Sequence, residues 1–220
     1  MLYSGSTERH FQIEKGDTPM PSWEFEQRAM ARGCSAVCGC DEAGAGPLAG
    51  RVYAAAVILP IDVELPGLDD SKKLNAERRD VLFDLIRNQA IAWSVTWVEP
   101  GEIDKIDILN SRIKAMQMAI DALIPKADHA LIDGNRDHGS IFRITSNHEL
   151  IVKGDSLSNS IAAASILAKV NRDCYMWEMD TLYPQYEFGR HKGYPTKRHY
   201  ELLRKYGPCA IHRRSFLKNL

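Results

Sequence analysis

The sequence predicts an α/β protein in which a mixed sheet carries helices on its faces. Three observations point there. Apolar runs of strand length alternate with longer stretches of helical period. Two of those runs are joined by a tight glycine-rich link, which marks a hairpin. The element order reads β-β-helix-β-helix-β-β-helix, which suggests a mixed sheet with helices packed against it. With 220 residues, 45% hydrophobic and 26% charged, the chain has enough material for one core and excludes a disordered or fibrous protein.

Each element has its own reason. Residues 1 to 35 mix charges, Gly, Pro and Ser and read as a partly flexible N-terminal extension. One short helix is expected there, from Trp23 to Ala31 after Pro21-Ser22. Residues 36 to 220 read as one domain. Ala36 to Cys40 is a short apolar strand running into Asp41-Glu42. The link GAGPLAG at 44 to 50 leads to a buried strand, Val52 to Leu59. Asn75 caps a helix to about Asn88, with Val81, Leu82, Leu85 and Ile86 on one face. Ala90 to Val98 is rich in aromatic and β-branched residues and reads as a strand, with Trp93 and Trp97 in the core. A helix near Leu109 to Leu123 ends before Pro125. Ala130 to Ile132 runs into Asp133-Gly134-Asn135, and Leu150 to Val152 runs into Lys153-Gly154-Asp155. A long helix, Ser158 to Leu182, is Ala-rich in its first half, and one more helix lies near Thr196 to Tyr206.

The acids at strand ends draw the chemistry together. Ligand sites in open α/β sheets lie at strand ends. Acids from three segments, Asp41-Glu42, Asp133 and Asp155, can therefore meet in one cluster. Crowded carboxylates need a compensating charge, which a hard divalent cation supplies. Two such ions can activate a water and offset the leaving oxygen in phosphodiester cleavage. Taken singly, an Asp-Gly at a strand end is also ordinary turn chemistry. Gly44-Ala45-Gly46 can let backbone amides approach a ligand, or can simply make a tight turn. Ser71, Lys72 and Lys73 stand before a helix, either as a phosphate grip or as a solvated helix start.

Net charge is −1, which argues against a uniformly basic nucleic-acid binder. The sum hides an asymmetry. Residues 189 to 220 hold nine Lys/Arg and one acid, +8, leaving 19 basic and 28 acidic side chains, −9, in residues 1 to 188. Aromatic and imidazole groups interleave with that basic tail, including His191, Tyr194, Tyr200, Tyr206 and His212. Such a mixture suits a phosphate backbone with stacking, or a solvated basic helix.

In order and spacing, seven segments resemble the ribonuclease HII family, the bacterial type 2 ribonucleases H. They are GCDEAGAGPLAGRVYAAAVIL (39 to 59), GLDDSKKL (67 to 74), LIDGN (131 to 135), VKGD (152 to 155), SIAAASILAKVNRD (160 to 173), YPQYEFGRHKGYPTKRH (183 to 199) and HRRSF (212 to 216). The resemblance implies a ribonuclease H-like mixed five-stranded sheet flanked by helices, with a C-terminal helical basic tail. It implies a metal-dependent endonuclease that cuts RNA in RNA–DNA hybrids and nicks 5′ of ribonucleotides embedded in duplex DNA. The products carry 5′-phosphate and 3′-hydroxyl ends. The family's metal-binding acids fall on Asp41, Glu42, Asp133 and Asp155, which implies Mg²⁺ or Mn²⁺ in a two-metal arrangement. Its loop that senses the ribose 2′-hydroxyl falls on Gly44-Ala45-Gly46, and its ribose-contacting tyrosine on Tyr194. The family pattern has Arg where this chain has Ala45, so a phosphate contact is lost while both glycines remain. Ser71, Lys72, Lys73, Arg190 and Lys192 are the candidate phosphate contacts. The N-terminal extension is too short for the platform domain of the sister type, ribonuclease HIII.

Other readings bound these expectations. Cys34, Cys38 and Cys40 lack a second ligand pair for zinc. All five Cys read as free thiols in a cytoplasmic protein, buried or partly so in the case of those three. No apolar run reaches the ~18 residues of a membrane span, and the first residues do not form a secretory signal. His191 is read as a proton donor to the leaving group or as a phosphate or surface residue. Asp173 is read as a structural partner for a nearby Arg. The chain is expected to be a monomer with no obligate protein partner, and no clamp-binding motif stands out in the tail. Competing functions are another ribonuclease H-like nuclease, such as a junction resolvase or transposase-type enzyme, and a non-catalytic hybrid-binding module.

Overall fold

The structure, a computed structural model, describes residues 20–218. Five strands form one sheet: β1 (Val37–Ala43), β2 (Val52–Ile58), β3 (Ala92–Val98), β4 (His129–Asp133) and β5 (His148–Ile151). Their spatial order is β3-β2-β1-β4-β5. The helices are α1 (Glu24–Ala31), α2 (Ala76–Gln89), α3 (Pro100–Ile106), α4 (Ile108–Ala122), α5 (Asn159–Leu182), α6 (Phe188–His191) and α7 (Lys197–Tyr206). The mixed sheet flanked by helices is the expected architecture. β1, β2 and β3 pair antiparallel, while β1, β4 and β5 pair parallel.

Helices cover both faces of the sheet, and β2 shows why its sequence is apolar throughout. Val52, Ala54, Ala56 and Ile58 face α4, where Ile113, Met116 and Ile120 meet them. Ala55 and Val57 face the other way, onto Leu82 and Ile86 of α2 and the alanines of α5. A strand buried on both faces reads as a continuous apolar run. The α5 alanines, Ala162, Ala163 and Ala164, let its backbone approach the sheet closely. The contact is closest at Gly39, where a Cβ would stand 2.0 Å from the carbonyl carbon of Ser160.

The caps follow the expected chemistry. Asn75 accepts from Arg78 N–H at 2.8 Å, Ser158 caps α5 and Thr196 caps α7. α1 packs Ala29 beside Val37, Leu131, Ile151 and Ile161. Glu26 of α1 is 1% exposed and reaches the start of α5. It accepts hydrogen bonds from Ser158 Oγ at 2.6 Å and Ser160 N–H at 2.9 Å. A carboxylate at a helix N-terminus meets free amides and the positive end of the dipole, worth up to about 2 kcal/mol when partly buried. The C-terminal stretch is docked, with Tyr186, Phe188, Leu202, Leu203 and Ile211 against Leu48, Tyr53 and Met176.

Several elements differ from expectation. β1 continues through Asp41 and Glu42 to Ala43 because its antiparallel pairing with β2 persists there. Val81 is 60% exposed, since the buried stripe of α2 is Leu82 and Ile86. Trp93 and Trp97 lie on an edge strand and are 38% and 43% exposed, so they are not core. Ala92, Ser94 and Val98 fill the inner positions instead. α3 and α6 are short and lack a long apolar period, so sequence periodicity misses them. The cysteines are free and Cys38 and Cys40 are buried, as expected; burial pushes the Cys38 thiol up to about 12. Among the described residues no helix is long and apolar enough to cross a membrane.

Gly39→Ala tests the close approach. A methyl group placed against α5 backbone should cost about 3 kcal/mol or more. That lowers Tm by roughly 6–12 °C for a chain of this size. Thermal melts followed by circular dichroism would read it, and an unchanged Tm would contradict the contact.

Candidate active site

Parallel pairing assembles the acids. Cys40 of β1 lies beside Ile132 of β4 at the end of their pairing, so the next residues, Asp41 and Asp133, stand as neighbours where the two strands part. Asp133 in turn lies beside Ile151 of β5, and one turn later the chain presents Asp155. Oxygens of Asp41, Asp133 and Asp155 all lie within 4.8 Å of one another. Asp41 accepts from Glu42 N–H, and Asp133 accepts from Gly154 N–H, both at 2.7 Å. Glu42 sits at the rim and turns to Arg112 of α4, at 2.5 Å.

Burial, then the charges of Glu42 and Asp133, push Asp41 well above the usual carboxylate range. Burial also raises Glu42, against the pull of Arg112, and burial with the charge of Asp155 raises Asp133. The local answer is Lys72, whose ammonium donates to Asp155 at 2.8 Å. Burial lowers the Lys72 pKa, but the hydrogen bond and charge of Asp155 outweigh it and hold the ammonium above its usual range. Two cations thus face four carboxylates. Glu42 Oε2 is buried with no hydrogen-bond partner among the described residues. A crowded carboxylate set with an orphaned oxygen fits a hard divalent cation, which takes oxygen ligands.

The other candidate residues fall in different places. Gly44, Ala45, Gly46, Ser71, Lys72 and Tyr194 line the same cavity as Asp41, Glu42 and Asp133, about 220 Å³ in volume. Ser71 Oγ bonds Ser165 Oγ at 2.7 Å, and Lys73 pairs with Asp69 at 2.9 Å, away from the acids. Arg190 is exposed on α6, and Lys192 donates to Gly189 O while its ammonium sits 3.7 Å over the Trp177 ring. Asp173 pairs with Lys169 at 2.7 Å, with Arg79 more distant at 3.9 Å.

Two buried arginines that the sequence reading did not single out set the glycine loop. Arg213 donates to the carbonyls of Gly44 at 2.7 Å, Ala45 at 3.0 Å, Gly50 at 2.9 Å and Arg51 at 3.1 Å. Arg172 donates to Lys192 O at 2.9 Å, and its guanidinium carbon lies 5.5 Å from the Tyr194 ring centroid. Gly44 has φ +98°, and a Cβ there would stand 2.1 Å from Arg172 Nε. Burial, with the charge of Arg172, pulls Arg213 down to about 9. The one available signal was arginine inside otherwise apolar or helical segments, SIAAASILAKVNRD and HRRSF. Arg112 and Lys169 were missed because nothing local ties them to the acids.

His191 is corrected. It is neither a surface residue nor a proton donor to the site, because its ring is turned inward. Nε2 meets Tyr186 O at 2.8 Å and Nδ1 accepts from Gly193 N–H at 3.2 Å. His199 Nδ1 meets Tyr194 O at 2.9 Å, and its Nε2 faces His212 Nε2 at 3.1 Å. His212 Nδ1 accepts from Cys209 N–H at 2.9 Å. Every partner is satisfied with neutral rings, and burial pulls His199 and His212 down to about 4. This cluster anchors the loop that carries Tyr194. Arg213 is likewise withdrawn from the expected basic surface, and Arg198 is paired with Glu187 at 3.0 Å.

A mixed sheet of this topology, with acids converging from β1, β4 and the turn after β5, is that of a ribonuclease H-like nuclease. The ribonuclease HII family model matches residues 38–219. A ribonuclease HII of Caldicellulosiruptor bescii is 48% identical over 90% of this chain and 94% of its own length. That of Geobacter sulfurreducens is 49% identical over 90% of each. The solved ribonuclease H2 of Pyrococcus horikoshii has a TM-score of 0.68 and 25% identity, covering 82% of this chain and 93% of that one. The ribonuclease HII of Archaeoglobus fulgidus, solved as a complex with PCNA, has a TM-score of 0.66 and 26% identity, covering 81% of this chain and 94% of that one. The chain belongs to the ribonuclease HII family, and it is a ribonuclease H, a hydrolase of the endonuclease class.

The histidine cluster carries a pH prediction. Both folded pKa values lie near 4, below the ordinary 6.5, so the unfolded chain takes up protons first as pH falls. The stabilisation is complete above about pH 6.5 and is lost on the way down to about 4. The stability advantage of wild type over His199→Gln should therefore shrink by roughly 2 kcal/mol across that window. Urea unfolding at several pH values measures it, and parallel pH profiles would contradict it.

Proposed function

We propose that this chain cleaves the RNA strand of RNA–DNA hybrids and nicks duplex DNA 5′ of an embedded ribonucleotide. The ends left are 5′-phosphate and 3′-hydroxyl, as ribonucleotide and RNA primer removal in repair and replication require. The observation that carries this reading is the convergence of Asp41, Asp133 and Asp155 oxygens within 4.8 Å, in a cavity shared with Gly44, Gly46 and Tyr194. Asp41, Glu42, Asp133 and Asp155 are the ligands we assign to Mg²⁺ or Mn²⁺. Bound there, the ions supply a water of lowered pKa and charge that offsets the leaving oxygen.

The protein's own groups do the rest. The 2′-hydroxyl separates RNA from DNA at one site, and reading it needs close approach of backbone or donor groups. Among the described residues, apart from its chain neighbours, none places an atom within 4 Å of where a Cβ on Gly46 would stand, so a ribose can approach its backbone. Tyr194 is 41% exposed and offers a ring face and a hydroxyl across the same cavity. Lys72 can exchange Asp155 for a phosphate oxygen when a cation takes over the carboxylate. Ser71, Lys73, Arg190 and Lys192 complete the proposed contacts, with Lys73 and Arg190 the most peripheral. We assign the activity to a monomeric cytoplasmic enzyme with residues 36 to 220 as its catalytic domain and no obligate protein partner.

With Mg²⁺ or Mn²⁺, purified protein should nick a DNA duplex holding one ribonucleotide and leave the all-DNA duplex intact. Equal cleavage of both would reject the ribose-reading site and favour another ribonuclease H-like nuclease. Asp133→Asn should lower kcat on the order of 10³-fold with hybrid binding retained. Loss of binding in step with activity would instead mean a structural role. Tyr194→Phe should lower selectivity for the ribonucleotide strand; unchanged selectivity would leave only stacking to the ring. Ala45→Arg should lower KM for hybrids, since it adds a phosphate-binding charge beside the loop. An unchanged KM would show that the side chain at this position does not reach phosphate.

A further inference from the structure

We propose that Glu26 is a positioning residue for the acid cluster, acting through the loop that joins β5 to α5. The inference rests on reading that cluster as the metal site. Glu26 lies outside residues 38–219 matched by the family model, in a helix that lines no part of the acid cavity.

The path is a short relay of hydrogen bonds. Glu26 Oε1 accepts from Ser158 Oγ at 2.6 Å and from Ser160 N–H at 2.9 Å. Ser158 N–H donates to Gly154 O at 2.9 Å. Gly154 N–H donates to Asp133 Oδ1 at 2.7 Å. One residue, Gly154, therefore separates the Glu26-bound serine from a carboxylate of the cluster, and Asp155 is carried in the same turn. A second strap runs beside the first. Ser22 N–H donates to Leu157 O at 3.0 Å, and Asn159 N–H donates to Ser22 O at 3.1 Å.

The turn needs such a hold. Lys153 has φ +59°, a left-handed conformation that costs energy in a residue with a side chain and persists only where its surroundings impose it. An apolar side chain in place of Glu26 would fill the same volume without fixing a direction. A carboxylate fixes Ser158 and Ser160 at once, and directional bonds transmit position where packing alone permits sliding. Glu26 touches none of the reacting groups.

The test separates position from stability. Mn²⁺ binding to the full chain, measured by calorimetry or by loss of the free-ion EPR signal, is compared in wild type, Glu26→Ala, Glu26→Gln and Ser158→Ala. Removing an outer group that orients metal ligands weakens affinity about 10-fold or more. Glu26→Ala should show that loss with hybrid binding in the absence of metal unchanged. Glu26→Gln keeps an acceptor oxygen and should recover most of the affinity. Mn²⁺ affinity equal to wild type in Glu26→Ala, even with a lowered Tm, would overturn the proposal. If Glu26→Ala fails to fold, Ser158→Ala removes one link and should give an intermediate loss; wild-type affinity there would overturn it equally. Failure of the wild-type protein itself to bind Mn²⁺ would instead reject the metal-site reading.

Discussion

The close packing of α5 on β1 is the constraint from which the site follows. Gly39 admits the helix backbone at a distance no other residue would allow. With α5 pressed there, Ser165 and Lys169 stand at the cavity that Asp41 enters from β1. Asp155 stands four residues before the start of the same helix, in the turn Gly154–Ser156 that leads into it. Further along it, Arg172 passes beneath the glycine loop and Tyr194. Small residues in the first half of α5 are therefore not only core filling. They set the depth at which two functional segments meet.

Electrostatics then works against stability at the centre and for it at the edge. Burial and neighbouring carboxylates raise Asp41, Glu42 and Asp133, a cost that a protein without a use for them would shed. Lys72, paired with Asp155, and Arg112, paired with Glu42, offset part of it. Beneath the neighbouring loop lie two guanidinium groups with backbone carbonyls as partners and, among the described residues, no carboxylate bonded to either. Positive charge is thus kept under Gly44 and Ala45, which line the cavity, while negative charge is concentrated a few residues earlier in the chain. The two fields meet in one cavity, which suits a ligand that brings phosphates alongside cations.

The order of elements along the chain, the Asn75 cap and the meeting of Asp41, Asp133 and Asp155 were legible because each rests on local chemistry. Asn75 caps its helix through its own side chain, and an acid after an apolar run announces a strand end. What local pattern cannot carry is a partner chosen by the fold. Trp93 and Trp97 have the composition of core residues, yet β3 is an edge strand and exposes them. Glu42 stands next to Asp41 in sequence, but alternation along β1 turns it toward Arg112, a residue 70 positions away. His191, in a basic segment, looked like a surface group until Tyr186 and Gly193 closed around it.

The charge asymmetry shows the same limit most sharply. Counting places +8 in residues 189 to 220, but the fold spends that charge unevenly. Arg213 is fully buried and bonds four carbonyls, and Arg198 is bound to Glu187. The exposed remainder, including Arg190, Lys197, Arg204 and Lys205, is what a phosphate backbone can meet. Salt dependence of binding scales with phosphate contacts made, not with basic residues present. The tail therefore acts in two ways at once. Its surface half presents exposed cations, and its buried half, through Arg213 and the histidines, holds the glycine loop and Tyr194 at the cavity of the acids.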